Sequence, residues 1–222
     1  MAFSDVGYLV IKNVLNKNEV MSYRNTLDEY LMKNKSLKIN GAKIIPGWSG
    51  ITPGLGILNE LHKDKRILDE LSKVFGPNKY RFLGHSDLHQ NKDTNWHRDI
   101  KDLSRGGCDL DIWDKNCFIL KVCFLLQDHT DNDFGLWFQS GTHLSSKLKS
   151  DPIHVYSDST DMIIFDQRIL HKGQCVEPFY REVYKQNRYL LTFGYGLLNK
   201  YSDFHEAGAR KRQNQQREIM EL

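Results

Sequence analysis

Between Tyr80 and Tyr195 the chain is cut into short runs rich in β-branched and aromatic residues, each bounded by clusters of Asp, Asn, Gly, Ser and His. The runs cover 80–83, 118–126, 135–138, 162–165 and 189–195. Strands at such short intervals, with turn chemistry between them, predict a sandwich, jelly roll or barrel. The preceding stretch has a different texture. Gly7 to Ile11 reads as a short strand, and Asn16-x-x-Glu19 has the form of a capping box that opens a helix. Val20, Tyr23, Leu27, Tyr30 and Leu31 then recur at helical spacing. A loop follows through Gly41, Pro46, Gly47, Gly50, Pro53, Gly54 and Gly56. A second helix is expected from about Ile57, with Leu58, Leu61, Leu68, Leu71 and Phe75 as its stripe and Gly76-Pro77 as its stop.

At 222 residues the chain suits one domain: a helical part over 14–76, a β core over 80–196 and a basic tail over 197–222. Hydrophobic residues at 40% and charged residues at 27% describe a folded chain rather than a disordered one. The net charge of +3 is a mild excess whose densest run, Arg210-Lys211-Arg212 with Arg217, reads as a solvated tail, so no nucleic-acid partner is expected. Cys108, Cys117, Cys123 and Cys175 form no Cys-x-x-Cys pair and are expected as free thiols. The opening Met1-Ala2-Phe3-Ser4-Asp5 has no export-signal character, and the most apolar run, 118–126, is interrupted by Lys121. A cytoplasmic chain without a membrane span is expected.

The spacing His-x-Asp occurs four times, at His62/Asp64, His85/Asp87, His97/Asp99 and His129/Asp131. Residues i and i+2 share a face on a strand but lie about 200° apart around a helix. His62/Asp64, on an expected helix, is therefore a poor pair for one metal ion and reads as exposed. His129/Asp131 sits in the polar turn "QDHTDND", where turn chemistry alone accounts for it. His85/Asp87 is a real rival, because "HSDLH" on a strand sets His85, Asp87 and His89 on one face. A site of two histidines and one carboxylate needs a second histidine from elsewhere in the chain, and His171, after the apolar run 162–165, can supply it.

Asp99 after "WHR", Gly135-Leu136-Trp137 leading to Ser140-Gly141-Thr142-His143, and Asp161 through Phe165 to His171 together resemble the phytanoyl-CoA dioxygenase-like family of Fe(II)- and 2-oxoglutarate-dependent oxygenases. The opening "GYLVIKNVLNKNEV" is similar too, and the resemblance spans most of 7–196. It implies a mainly β fold with flanking helices, a double-stranded β-helix (jelly-roll, cupin-like) core preceded by two N-terminal helices. It also implies His97, Asp99 and His171 as iron ligands and catalytic centre, with 2-oxoglutarate and O2 as co-substrates. The expected reaction hydroxylates a C–H bond of a small molecule and releases succinate and CO2. Halogenating relatives carry a small residue in place of the carboxylate, so Asp99 points to hydroxylation. One departure is Ser140, where the family usually has proline.

In that family a basic residue beyond the second histidine holds the far carboxylate of 2-oxoglutarate. Arg188, which begins the apolar run "RYLLTFGYG", and Arg181, nearer the family's usual spacing, both qualify; the start of a core strand favours Arg188. Thr192 shares the face of Arg188 and could add a hydroxyl donor. Lys121, within a core strand, either reaches the co-substrate or extends to solvent. His85, Asp87, His89 and Gln90 are expected to line the substrate pocket, whereas Trp96, Trp137 and Phe138 are expected in the core. Two other readings remain: a non-catalytic jelly-roll binding or sensor domain, and a metal-dependent isomerase or hydrolase, which would have no use for Arg188.

Overall fold

The computed structural model describes residues 2–50, 52–100, 110–128, 135–174 and 187–221. The single-turn helix α1 (Phe3–Val6) ends at Gly7, whose φ of 82° turns the chain into β1 (Tyr8–Ile11). Helix α2 (Lys17–Lys33) opens with the expected box: Asn16 Oδ1 accepts the Glu19 N–H at 2.9 Å, and Glu19 Oε2 accepts the Asn16 N–H at 2.8 Å. Loss of such a cap costs about 1 kcal/mol. Asn16→Ala is therefore expected to lower the urea midpoint by that amount of stability with an unchanged m-value.

The expected loop is in part a hairpin. β2 (Leu37–Ile39) and β3 (Ala42–Pro46) are joined by Asn40-Gly41, with φ of 49° and 80°. Two successive positive φ values are what a two-residue hairpin turn of this twist needs, and Asn-Gly supplies them. The second helix is interrupted as well. A 3-10 helix (Gly56–Lys63) passes at Asp64 into α3 (Lys65–Phe75), and Asp64 caps α3 by accepting the Arg66 N–H at 2.9 Å. With about three residues per turn, the 3-10 segment turns His62 inward, contrary to the exposed position expected for it. Its Nδ1 lies 2.7 Å from Ser49 Oγ and 3.0 Å from Asn59 O, and its ring rests on Phe82.

The remaining strands are β4 (Tyr80–Gln90), β5 (Thr94–His97), β6 (Ile119–Leu125), β7 (Gly135–Gln139), β8 (Pro152–Val155), β9 (Met162–Asp166), β10 (Leu170–Gln174) and β11 (Tyr189–Leu197). They form two antiparallel sheets, one ordered β1-β9-β6-β11-β4-β3-β2 and the other β5-β10-β7-β8. This is a jelly-roll core. Period-2 alternation divides the large sheet. Leu120, Val122 and Phe124 of β6 and Leu191 and Phe193 of β11 pack with α2 and α3. Cys123 and Leu125 face the small sheet, with Leu136, Phe138 and Phe165. Because β6 is buried on both faces, Lys121 points between the sheets rather than to solvent.

The expected basic tail is a helix, α4 (Lys200–Glu221). Asn199 Oδ1 accepts the N–H groups of Tyr201 and Ser202 and so starts it. Gln213 donates to Ser86 O at 3.1 Å, and Arg217 donates to the carbonyls of Pro46 and Gly47. Arg212 is paired with Asp87, so Arg212 and Arg217 hold the helix to the sheet, while Arg210, paired with Glu206 of the same helix, and Lys211 stay exposed. The turn after β9 is fixed by a buried fork: Arg168 Nε and Nη2 donate to Asp166 Oδ1 and Oδ2 at 2.9 and 2.6 Å. Arg168 Nη1 reaches Ile112 O at 3.1 Å. Among the described residues no helix is long and apolar enough to cross a membrane.

Candidate metal centre and its cavity

β5 and β10 are neighbours, and their register sets His97 directly opposite His171. The Asp99 N–H donates to Gln167 O at 3.0 Å, which folds the residue after β5 back towards the two imidazoles. His97 Nε2 then lies 3.6 Å from Asp99 Oδ1, and His171 Nε2 lies 3.6 Å from Asp99 Oδ2. One donor atom from each of the three residues falls within 4.8 Å of the others. Among the described residues this is the one such cluster.

The chemistry of the donors fits a metal ion. The Nδ1–H of His97 donates to Asn95 O at 2.7 Å, and that of His171 to Ile169 O at 3.0 Å. With Nδ1 carrying the proton, each Nε2 presents a lone pair to the centre. Burial pushes His171 down to about 4, so its imidazole is neutral at pH 7. Burial works to raise Asp99, but nearby positive charge, Lys121 foremost, outweighs it and holds the carboxyl well below the usual range. Lys121 Nζ stands 2.6 Å from Asp99 Oδ2.

A cavity of about 440 Å³ opens above these residues, between the sheets and α4. Arg188, at the start of β11, lines it and is 8% exposed; its Nη1 donates to Lys92 O at 2.7 Å. Gly173 lies beside it: a Cβ there would stand 3.3 Å from Thr94 Oγ1 and 3.4 Å from Arg188 Nη2. Arg181, the other arginine considered, lies outside the described residues, as do Cys108, Cys175, His129 and Asp131. Thr192 lines the cavity on the face of Arg188, but its hydroxyl donates to the Asp87 carbonyl at 3.0 Å and accepts the Asp87 N–H at 3.1 Å. Its proton is therefore spent on the backbone rather than offered to a ligand.

His85, Asp87 and His89 line the cavity from β4. Gln90 does not: one residue further along the pleat, it faces α2 and donates to the Tyr189 hydroxyl at 2.8 Å, which in turn donates to Asp28. Sequence reasoning missed the wall contributed by α4, formed by Phe204, His205, Gly208, Ala209 and Arg212. Their spacing marks one helical face, which was the available signal. Arg212 Nη2 donates to Asp87 Oδ2 at 3.0 Å and lies 3.0 Å from His85 Nε2, while His85 Nδ1 lies 3.1 Å from His205 Nε2. The Ser140–His143 turn supports the site from behind, because Thr142 Oγ1 accepts the Leu170 N–H at 2.9 Å and steadies the strand that carries His171.

No protein-family model matches the chain, and no curated protein matches it in sequence. Solved structures do match in fold. HygX from Streptomyces hygroscopicus, with nickel, 2-oxoglutarate and hygromycin B bound, superposes with a TM-score of 0.64 at 19% identity, over 88% of this chain and 85% of that one. The non-heme alpha ketoglutarate dependent epimerase SnoN from nogalamycin biosynthesis gives a TM-score of 0.66 at 15% identity, over 87% and 78%. The nickel complex of the non-heme monooxygenase ThoJ gives 0.65 at 18%, over 88% and 75%. The jelly roll of this chain is thus the fold found in these non-heme enzymes.

Proposed function

We propose that this chain is an oxygenase dependent on Fe(II) and 2-oxoglutarate, of the phytanoyl-CoA dioxygenase-like kind, which hydroxylates a C–H bond of a small molecule. The observation that carries this reading is the convergence of His97 Nε2, His171 Nε2 and the Asp99 carboxylate at the base of a cavity, with both imidazoles aimed by their own Nδ1–H bonds. Two histidines and one carboxylate suit Fe(II) and leave adjacent positions open. Bound iron, 2-oxoglutarate and O2 supply the oxidising power needed to break an unactivated C–H bond. The protein's part is to hold, orient and exclude water. Arg188 receives the far carboxylate of 2-oxoglutarate through a planar fork, and Lys121 neutralises charge beside Asp99. His85, Asp87 and His89 face the substrate.

The relatives in fold support this chemistry, since HygX is seen with 2-oxoglutarate and ThoJ is a monooxygenase. A second outcome of the same oxidation, without oxygen insertion, is favoured by the epimerase SnoN and the alpha ketoglutarate dependent carbocyclase SnoK, both of this fold. Product mass separates the two, because only hydroxylation adds an oxygen atom.

The test is anaerobic titration of the purified protein with Fe(II) and then 2-oxoglutarate. A weak visible charge-transfer band that saturates at one equivalent is expected, followed by succinate release on admitting O2. Iron bound without any band would overturn the reading. Arg188→Ala is expected to raise the 2-oxoglutarate dissociation constant about tenfold to a hundredfold, as a charge-assisted fork contributes about 1.5 to 3 kcal/mol. Metal binding should stay within about twofold. Should Arg181→Ala produce the larger rise, the carboxylate partner is Arg181.

A further inference from the structure

The cavity wall carries an uneven charge. Its lining cations among the described residues are Lys92, Arg98, Lys121, Arg188 and Arg212, and its lining carboxylates are Asp87 and Asp99. Asp99 stands against Lys121 at 2.6 Å and Asp87 against Arg212 at 3.0 Å. Burial keeps the lining histidines His85, His89 and His205 below the ordinary imidazole range, so they add no charge at neutral pH. The wall is cationic in sum.

This balance is that of the described lining residues. Loading the site leaves the balance unchanged, because a metal dication and the 2-oxoglutarate dianion cancel each other. A cation-rich cleft with low-dielectric walls concentrates anions and disfavours cations.

Resting on the functional reading above, we propose that the molecule oxidised in this cavity is an acid, a small compound bearing at least one carboxylate or phosphate group, held by Arg98 with the help of Lys92. Arg98 directly precedes the ligand Asp99, and its guanidinium is steadied over the Trp113 ring and by donation to Thr142 O at 3.3 Å. That single long bond to a carbonyl leaves most of the guanidinium fork for an incoming acid group. Lys92 lines the same cavity from the turn between β4 and β5, with Nζ 3.5 Å from His89 Nε2. A charged substrate sets this chain apart in specificity from a jelly roll whose pocket is merely polar.

The experiment uses full-length protein loaded with Co(II) and 2-oxoglutarate, so that the co-substrate site is already filled. Calorimetry follows binding of four probes of one chain length: hexanoate, hexyl phosphate, hexylammonium and hexanol. At least one of the two anions is expected to bind about tenfold or more tightly than the amine and the alcohol, and the better anion identifies the acid group. Arg98→Gln and Lys92→Gln should each weaken that anion severalfold, while 2-oxoglutarate affinity in the same samples moves less than about twofold. Added salt should weaken the wild-type interaction, a readout that needs no variant. Anions that bind no better than the amine or alcohol, or not at all into the millimolar range, overturn the proposal. So does an anion affinity indifferent to both substitutions and to salt. Protein that takes up neither Co(II) nor 2-oxoglutarate would sink the functional reading itself, whereas normal loading without anion preference sinks only this inference.

Discussion

His171→Ala is expected to reduce affinity for Fe(II) or Co(II) by more than about a hundredfold, and His97→Ala to do the same. Loss of a residue that merely orients a ligand already costs about 10- to 100-fold in metal affinity, and here the donor atom itself is removed. Nothing in the described surroundings can substitute. His171 is 4% exposed between the rings of Phe165 and Phe138, and the described residues offer no second cluster of three donors. Calorimetric titration of apo-protein with Co(II) provides the measurement, with circular dichroism to verify that each variant is folded. His85→Ala is the control, because His85 shares the His-x-Asp spacing but is engaged with His205 and Arg212. Metal uptake that survives both alanine variants at 97 and 171 but fails in His85→Ala would move the centre to β4.

The second large effect concerns stability. Asp166→Ala is expected to cost about 3 to 5 kcal/mol, because it strands a buried guanidinium without its carboxylate. Asp166 is fully buried and Arg168 is 7% exposed, and two parallel hydrogen bonds join them. Urea denaturation of the apo-protein gives the value. Arg168→Met added to Asp166→Ala should recover part of the loss, since an apolar pair of similar volume avoids the stranded charge. A loss below about 1 kcal/mol would show that the fork is solvated in solution. The same turn leads through Ile169, whose carbonyl receives the His171 Nδ1–H. Metal affinity of Asp166→Ala should therefore fall as well, by severalfold.

Residue pattern and fold agree where local chemistry is decisive and part where tertiary packing decides. The β-rich runs after Tyr80 are strands of the jelly roll, and the Asn16 box opens a helix, because both are governed by neighbours in sequence. The hairpin at Asn40-Gly41 is legible from that dipeptide but hidden in a Gly- and Pro-rich stretch. The break at Asp64 has no apolar signature, since the stripe of leucines runs through it. Helix α4 looks like a tail in sequence because, Tyr201 apart, its buried positions are filled by Ser202, His205, Ala209 and Gln213 rather than by large apolar residues. Around the centre, His97, Asp99 and His171 come together as their order suggests. Gln90 falls on the face opposite to the expected one, by a single step of the pleat. The direction of Lys121 cannot be read from β6, because a strand buried on both faces shows no alternation.

Each imidazole of the facing pair donates its Nδ1–H to the carbonyl two residues earlier in the chain, Asn95 for His97 and Ile169 for His171. A carbonyl is common to every residue type, so the partner that fixes the ring's tautomer survives any substitution at 95 or 169 that preserves the backbone path. The aiming of both rings thus resides in the path of the backbone, and what must be preserved at 95 and 169 is a conformation rather than a side chain.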